Sequence, residues 1–107
     1  MTFRSYGHKP WGHYLNIFDA PYTKVKEILI KPGEAPSYQY HHKRSEIWVI
    51  VKGTAEVKLD GEVKTYGQGD VIHIPVKSKH QAKNIGDDDL VFIEVQLGEY
   101  FGEDDIV

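Results

Sequence analysis

Hydrophobic residues in this chain do not recur at helical spacing. No window of 11 or more residues carries apolar side chains at i, i+3, i+4 and i+7 without an intervening Gly or Pro. Short alternating runs bounded by turn residues replace them. His13 to Phe18 alternates, Lys24 to Ile30 is β-prone, Pro32-Gly33 punctuates, and Ser37 to His41 follows as a Tyr-rich extended segment. Ile47 to Val51 is the most apolar run. Ala55 to Leu59 and Glu62 to Tyr66 flank Asp60-Gly61, a dipeptide that favours the two-residue hairpin turn because both positions tolerate positive φ. Val71 to Ile74, His80 to Asn84 and Leu90 to Leu97 complete nine expected strands, and Gly98 to Val107 forms a tail. Such short strands, with Gly turns between them, predict an all-β antiparallel sandwich or barrel. Trp48, Phe18 and Phe92 lie in alternating runs and are assigned to its core.

At 107 residues the chain has room for one domain, 1–107, and neither repeats nor low-complexity stretches divide it. The net charge of −3, with both signs interspersed, gives no positive field for a nucleic-acid backbone. Nothing approaches a membrane span, and Met1 to Pro10 lacks the apolar stretch of a secretory signal, so no membrane partner and a cytoplasmic location are expected. The absence of Cys excludes disulfides, thiolate-bound zinc and a thiolate nucleophile. Six His leave metal binding through imidazole, carboxylate and amide groups open.

Side-chain parity narrows that option. On an extended chain Gln39 and His41 point to one face, Tyr40 and His42 to the other. Glu46 shares the parity of Trp48 and Ile50, so an inward apolar face also carries Glu46 inside. A carboxylate in such surroundings is very costly unless paired or coordinated, which marks it as a ligand candidate beside the inward His. Asp87-Asp88-Asp89 lacks the spaced oxygen pattern of a calcium loop and reads as a solvated turn.

Gly33, then Gln39-x-His41, Glu46 and Gly53, resembles the first motif of the cupin superfamily with Gln in place of the first His. Gly69, Pro75, His80 and Asn84 resemble the second. Lys9-Pro10-Trp11-Gly12, the segment Ser37 to Trp48, Gly53-Thr54-Ala55, Ile74-Pro75, and Glu94-Val95-Gln96 through Gly102-Glu103-Asp104-Asp105-Ile106-Val107 are similar to the C-terminal cupin domain of type II mannose-6-phosphate isomerases. The chain departs from that family at Lys43 and Ile47, where His is usual, and at Lys77, where the second motif has Gly.

The resemblance implies a double-stranded β-helix, or jelly-roll barrel. It implies one divalent metal ion (Zn, Mn, Fe, Co or Ni) held by Gln39, His41, Glu46 and His80. It implies aldose–ketose isomerisation of mannose 6-phosphate and fructose 6-phosphate, at the entry to GDP-mannose and polysaccharide synthesis. In bifunctional members a guanylyltransferase domain precedes this one; here it is expected to stand alone. Arg44, Lys43, Lys77, Lys79 and His73 are candidates for binding the phosphosugar, since they flank the implied ligands. The catalytic base stays open among His73, His42, Tyr40, Lys79 and Glu99. A non-catalytic cupin binding a sugar or metabolite, and a metal-dependent oxygenase, are the alternatives. An N-terminal extension, Phe3 to Tyr14, that covers a neighbouring barrel edge makes a homodimer the expected assembly.

Overall fold

The computed structural model of the chain describes residues 5–101 and residue 105. Among them are nine strands: β1 (Ser5–Lys9), β2 (Gly12–Ala20), β3 (Thr23–Ile30), β4 (Arg44–Lys52), β5 (Ala55–Leu59), β6 (Glu62–Tyr66), β7 (Val71–Ile74), β8 (His80–Asn84) and β9 (Leu90–Gly98). They form a six-stranded sheet in the order β1-β2-β3-β9-β4-β7 and a three-stranded sheet in the order β6-β5-β8, with antiparallel pairing throughout. Residues of both sheets share one core. Ile28, Ile30, Trp48, Ile50, Ile72, Ile74, Leu90 and Phe92 meet Ala55, Val57 and Ala82 from the smaller sheet. The all-β cupin fold is thus present.

Cross-strand register orders the inner face into rungs of graded polarity. At the floor Ile30 lies opposite Leu90, and the next rung is Ile28, Phe92 and Ile50. Above it come Lys26, Glu94, Trp48 and Ile72, then Gln96, Glu46 and Ile74. Side chains of one rung share a face because pairing and pleat are in phase. Hydrophobic closure is therefore complete at one end of the barrel, and the polar groups collect at the other. Asn84 ties the floor together, its Nδ2 donating to the Ile30 carbonyl at 2.8 Å and to the Asp88 carbonyl at 2.8 Å.

The Asp60-Gly61 hairpin forms with φ of 49° and 86°, as its dipeptide predicts. Three sequence expectations are corrected. Ser37 to His41 is not a strand; Gln39 makes an isolated bridge to His80, and the Pro36 before the segment cannot donate to a ladder. The ninth strand is instead β1, paired with β2 from Ser5↔Asn16 to Lys9↔Gly12. Phe18 is 38% exposed rather than core, because the β2–β3 register shifts between Asn16 and Phe18 and the bulge turns its ring outward. Of the N-terminal extension, Phe3 lies outside the described residues, as do Glu103 and Asp104 of the tail.

Lys77 occupies the position where the second cupin motif usually has Gly, and its φ is 66°. The left-handed backbone is kept, at a steric cost of roughly 1–2 kcal/mol for a residue with a Cβ. Lys77→Gly removes that clash against a smaller loss in backbone entropy. We expect a net gain of about 0.5–1 kcal/mol, read as a rise of a few degrees in thermal midpoint; an unchanged or lowered midpoint would contradict it.

Candidate metal centre

The polar end of the barrel opens into a cavity of about 290 Å³. Its wall includes Gln39, His41, Arg44, Glu46 and His80, together with Lys9, Trp11, Tyr14, Lys26 and Glu94. Alternation along β4 carries Arg44, Glu46, Trp48 and Ile50 inward, and Glu46 is 1% exposed. β8 delivers His80 by the same parity. The loop before β4 brings His41, while two backbone bonds between Gln39 and His80, of 3.1 and 2.8 Å, fix the Gln39 backbone beside β8. Gly98 lets β9 end close against this loop: its φ is 150°, and a Cβ there would overlap the Lys43 carbonyl.

Donor atoms of His41, Glu46 and His80 all lie within 4.8 Å of one another. The His41 Nε2 to Glu46 Oε2 distance is 3.6 Å, and His80 Nε2 to Glu46 Oε1 is 3.8 Å. A tetrahedral ion with bonds of roughly 2.0–2.1 Å needs donors about 3.3 Å apart, so modest side-chain contraction closes this set. The surroundings orient it. Trp48 Nε1 donates to Glu46 Oε1 at 2.9 Å. His80 Nδ1 lies 3.0 Å from the Ser78 carbonyl, which can only accept, so the proton sits on Nδ1 and the Nε2 lone pair faces the carboxylate. Burial lowers the His80 pKa, outweighing the Ser78 bond and Glu94, which raise it, and keeps the imidazole in the neutral form a cation requires. Two imidazoles and a carboxylate suit a divalent transition metal, and these residues fit such an ion; Gln39 also lines the cavity, its Oε1 accepting from Ser37 Oγ at 2.9 Å.

Arg44 is the qualification on that fit. Its guanidinium is buried, with Nη2 2.9 Å from His41 Nε2 and Nε donating to Glu46 Oε2 at 3.0 Å. Positive charge already sits among the donors. An ion that uses the same His41 lone pair requires Arg44 to turn away, and its Nη1 contact to the Phe101 carbonyl, at 3.3 Å, marks one direction.

Of the residues expected to bind phosphosugar, only Arg44 reaches the cavity wall. Lys43 lies outside it, over the Tyr100 ring, with its backbone N–H donating to Asp105 Oδ2 at 2.9 Å. Lys79 stacks over Tyr38, Lys77 is exposed in the turn, and His73 faces outward opposite Ile47. His73 and Lys79 adjoin inward residues and so point outward, whereas Lys43 and Lys77 sit in loops outside the strands. Conversely, Glu94, Lys26 and Gln96 are buried at this end, and the sequence reading gives none of them a site role. Parity held their signal: Glu94 and Gln96 alternate with Leu90 and Phe92, and Lys26 with Ile28 and Ile30. The Glu94 carboxyl is pushed up to about 7, first by burial and then by the Glu46 charge.

Comparison with known proteins agrees with this architecture. The family model described as "Mannose-6-phosphate isomerase C-terminal" matches residues 1–107. The chain is similar to the mannose-1-phosphate guanylyltransferase of Escherichia coli strain K12, 45% identical over 100 residues that cover 94% of this chain and 21% of that protein. It is also similar to the alginate biosynthesis protein AlgA of Pseudomonas putida, 43% identical over 99 residues, covering 92% of this chain and 20% of that one. The chain thus spans about a fifth of the length of these curated relatives. Among solved structures, a Cupin 2 conserved barrel domain protein from Salinispora arenicola superimposes with a TM-score of 0.70 at 26% identity, over 78% of this chain and 73% of that chain.

Trp48→Phe deletes the donor that holds Glu46 Oε1 and should weaken zinc or manganese binding by roughly 10–100-fold, as loss of an outer-shell partner does. Glu46→Ala should abolish it. Titration of the metal-stripped chain by calorimetry measures both, and equal affinities in the three proteins would dissolve the site.

Proposed function

The chain belongs to the family of mannose-6-phosphate isomerase C-terminal domains, and from that premise we propose that it is a metal-dependent sugar-phosphate isomerase interconverting mannose 6-phosphate and fructose 6-phosphate. The observation that carries this reading is the convergence of His41, Glu46 and His80, all buried, within 4.8 Å on the wall of a cavity of about 290 Å³. That volume lies at the small end of metabolite sites and suits a compact substrate rather than a polymer. His41, Glu46 and His80, with Gln39, would hold a divalent cation, which would supply Lewis-acid polarisation of a sugar carbonyl.

The chain's own side chains do the rest. Trp48 and Ser78 hold the carboxylate and the imidazole in place. Arg44 and Lys9 on the cavity wall supply positive charge for a phosphate. Trp11, Ile28 and Phe92 give the lower cavity an apolar lining that excludes water from a reacting carbon. In the polysaccharide routes to which the relatives' names point, the substrate would be a phosphorylated hexose. β1 forms an edge of the large sheet and is the strand on which a second copy would pair.

A second reading has its own observation. With the guanidinium of Arg44 seated between His41 and Glu46, the cavity offers a fixed positive charge without an ion, as suits a protein that binds an anionic sugar and releases it unchanged. One assay separates the two. Purified chain with mannose 6-phosphate should form fructose 6-phosphate, lose that activity on chelation and regain it when metal is restored. Tight binding of mannose 6-phosphate with no turnover at any metal loading would favour the second reading.

A further inference from the structure

The open question of a proton carrier has a structural answer. An aldose–ketose isomerase must remove the proton from C2 and deliver one to C1. Every base candidate taken from the sequence fails on position. His73 and Glu99 are exposed and off the cavity wall; His42 is exposed and packs edge-on against Tyr40 at 5.2 Å; Lys79 lies over Tyr38. None of these lines the cavity, nor does Tyr40.

Beyond His41, Glu46 and His80, the ionisable side chains on the wall among the described residues are Lys9, Tyr14, Lys26, Arg44 and Glu94. Arg44 cannot give up a proton in a protein. Lys9 sits exposed at the rim. Glu94 is 8% exposed, one rung below Glu46, between Lys26 and Trp48 on the flanking strands. Gln96 Nε2 donates to Glu94 Oε2 at 2.6 Å and fixes the plane of the carboxyl group. A carboxylate there is enclosed, oriented and set between the apolar floor and the candidate metal ligands.

We propose that Glu94 is the catalytic acid–base of this site, carrying the proton between C2 and C1 of the open-chain phosphosugar. The proposal rests on the isomerase reading above. The Glu94 carboxylate takes the C2 proton, and the C2–H electron pair forms the C1=C2 bond of an enediol while the carbonyl π pair moves to O1. The protonated carboxyl then delivers the proton to C1. The O2 hydroxyl proton passes to O1 as C2 becomes the carbonyl, so atoms and charge balance with no further reactant. Gln96, through its hydrogen bond, and Lys26, opposite on β3, are positioning residues around the carboxyl.

A carboxyl group carries a single proton, whereas a lysine ammonium carries three. The label in [2-²H]mannose 6-phosphate, followed by NMR in ordinary water, therefore separates these two carriers, and partial loss of deuterium to solvent distinguishes either from a direct C2-to-C1 hydride shift, which keeps all of it. In the wild-type chain we expect deuterium at C1 of fructose 6-phosphate at more than about one-third of early product, the ceiling set by scrambling on an ammonium. Glu94→Gln should lower kcat by roughly 10²–10⁴-fold, the usual contribution of a general acid–base, with KM within threefold and metal content unchanged. His73→Gln, outside the cavity, should match wild type.

A Glu94→Gln chain within tenfold of wild-type kcat at unchanged metal content overturns the assignment. A metal-loaded wild-type chain that never turns over mannose 6-phosphate overturns the isomerase reading itself, and the proton role with it.

Discussion

The Glu46 carboxylate is the group around which the polar end of this barrel is assembled. An ion of that size in a low-dielectric interior loses several kcal/mol of hydration, and this loss must be met by fixed partners. Each carboxylate oxygen has its own: Oε1 accepts from the Trp48 indole, Oε2 from the Arg44 guanidinium, and the two imidazoles stand 3.6 and 3.8 Å away. Arg44, Glu46 and Trp48 leave β4 on one face at two-residue intervals, so a single strand supplies the charge, its counter-charge and its hydrogen-bond donor. His41 and His80 arrive from outside that strand. Their approach depends on the Gln39–His80 bridge and on Lys77, whose backbone N–H donates to the His41 carbonyl at 2.8 Å.

That arrangement explains why a barrel of this size tolerates so many polar groups inside. Apolar rungs at the floor carry the hydrophobic stabilisation, and polarity rises toward the mouth rung by rung. Trp48 sits at the change of character: its ring packs on Phe92 at 4.8 Å and meets His80 edge-on at 5.6 Å, while its N–H serves Glu46. One side chain thus couples core packing to the position of the candidate ligands, so a substitution there disturbs both.

Six strands, β3 and β5 to β9, were readable to within one residue at both ends, and Gly53, Asp60-Gly61, Gly69 and Pro75 punctuate the period-two runs among them. Parity also placed Glu46 inside before any coordinate was known. What the sequence hid falls into two kinds. A bulge changes parity without a local marker, so Phe18 was assigned to the core although the register shift turns it out. Contacts between strands distant in sequence, such as Lys26 beside Glu94, depend on a sheet order that no short motif encodes. Lys43 and Lys77 lie in loops, where alternation gives no direction, while His73 and Lys79 each adjoin an inward residue, Ile72 or Ile74 and His80, and face away from the cavity.

Two carboxyl groups on successive rungs of one sheet then become the feature to explain. Like charges this close in an apolar wall push one carboxyl toward its neutral form, and the group with fewer charged donors gives way. Glu46 has the guanidinium and the indole; Glu94 has an amide and the Lys26 on the facing strand. The asymmetry falls on Glu94, whose carboxyl is pushed up to about 7 by burial and the Glu46 charge. Packing alone would be served better by two apolar residues, as the rungs below show. The cost of the pair is local, because the Ile28–Phe92–Ile50 and Ile30–Leu90 rungs beneath it hold the barrel closed without help from the site.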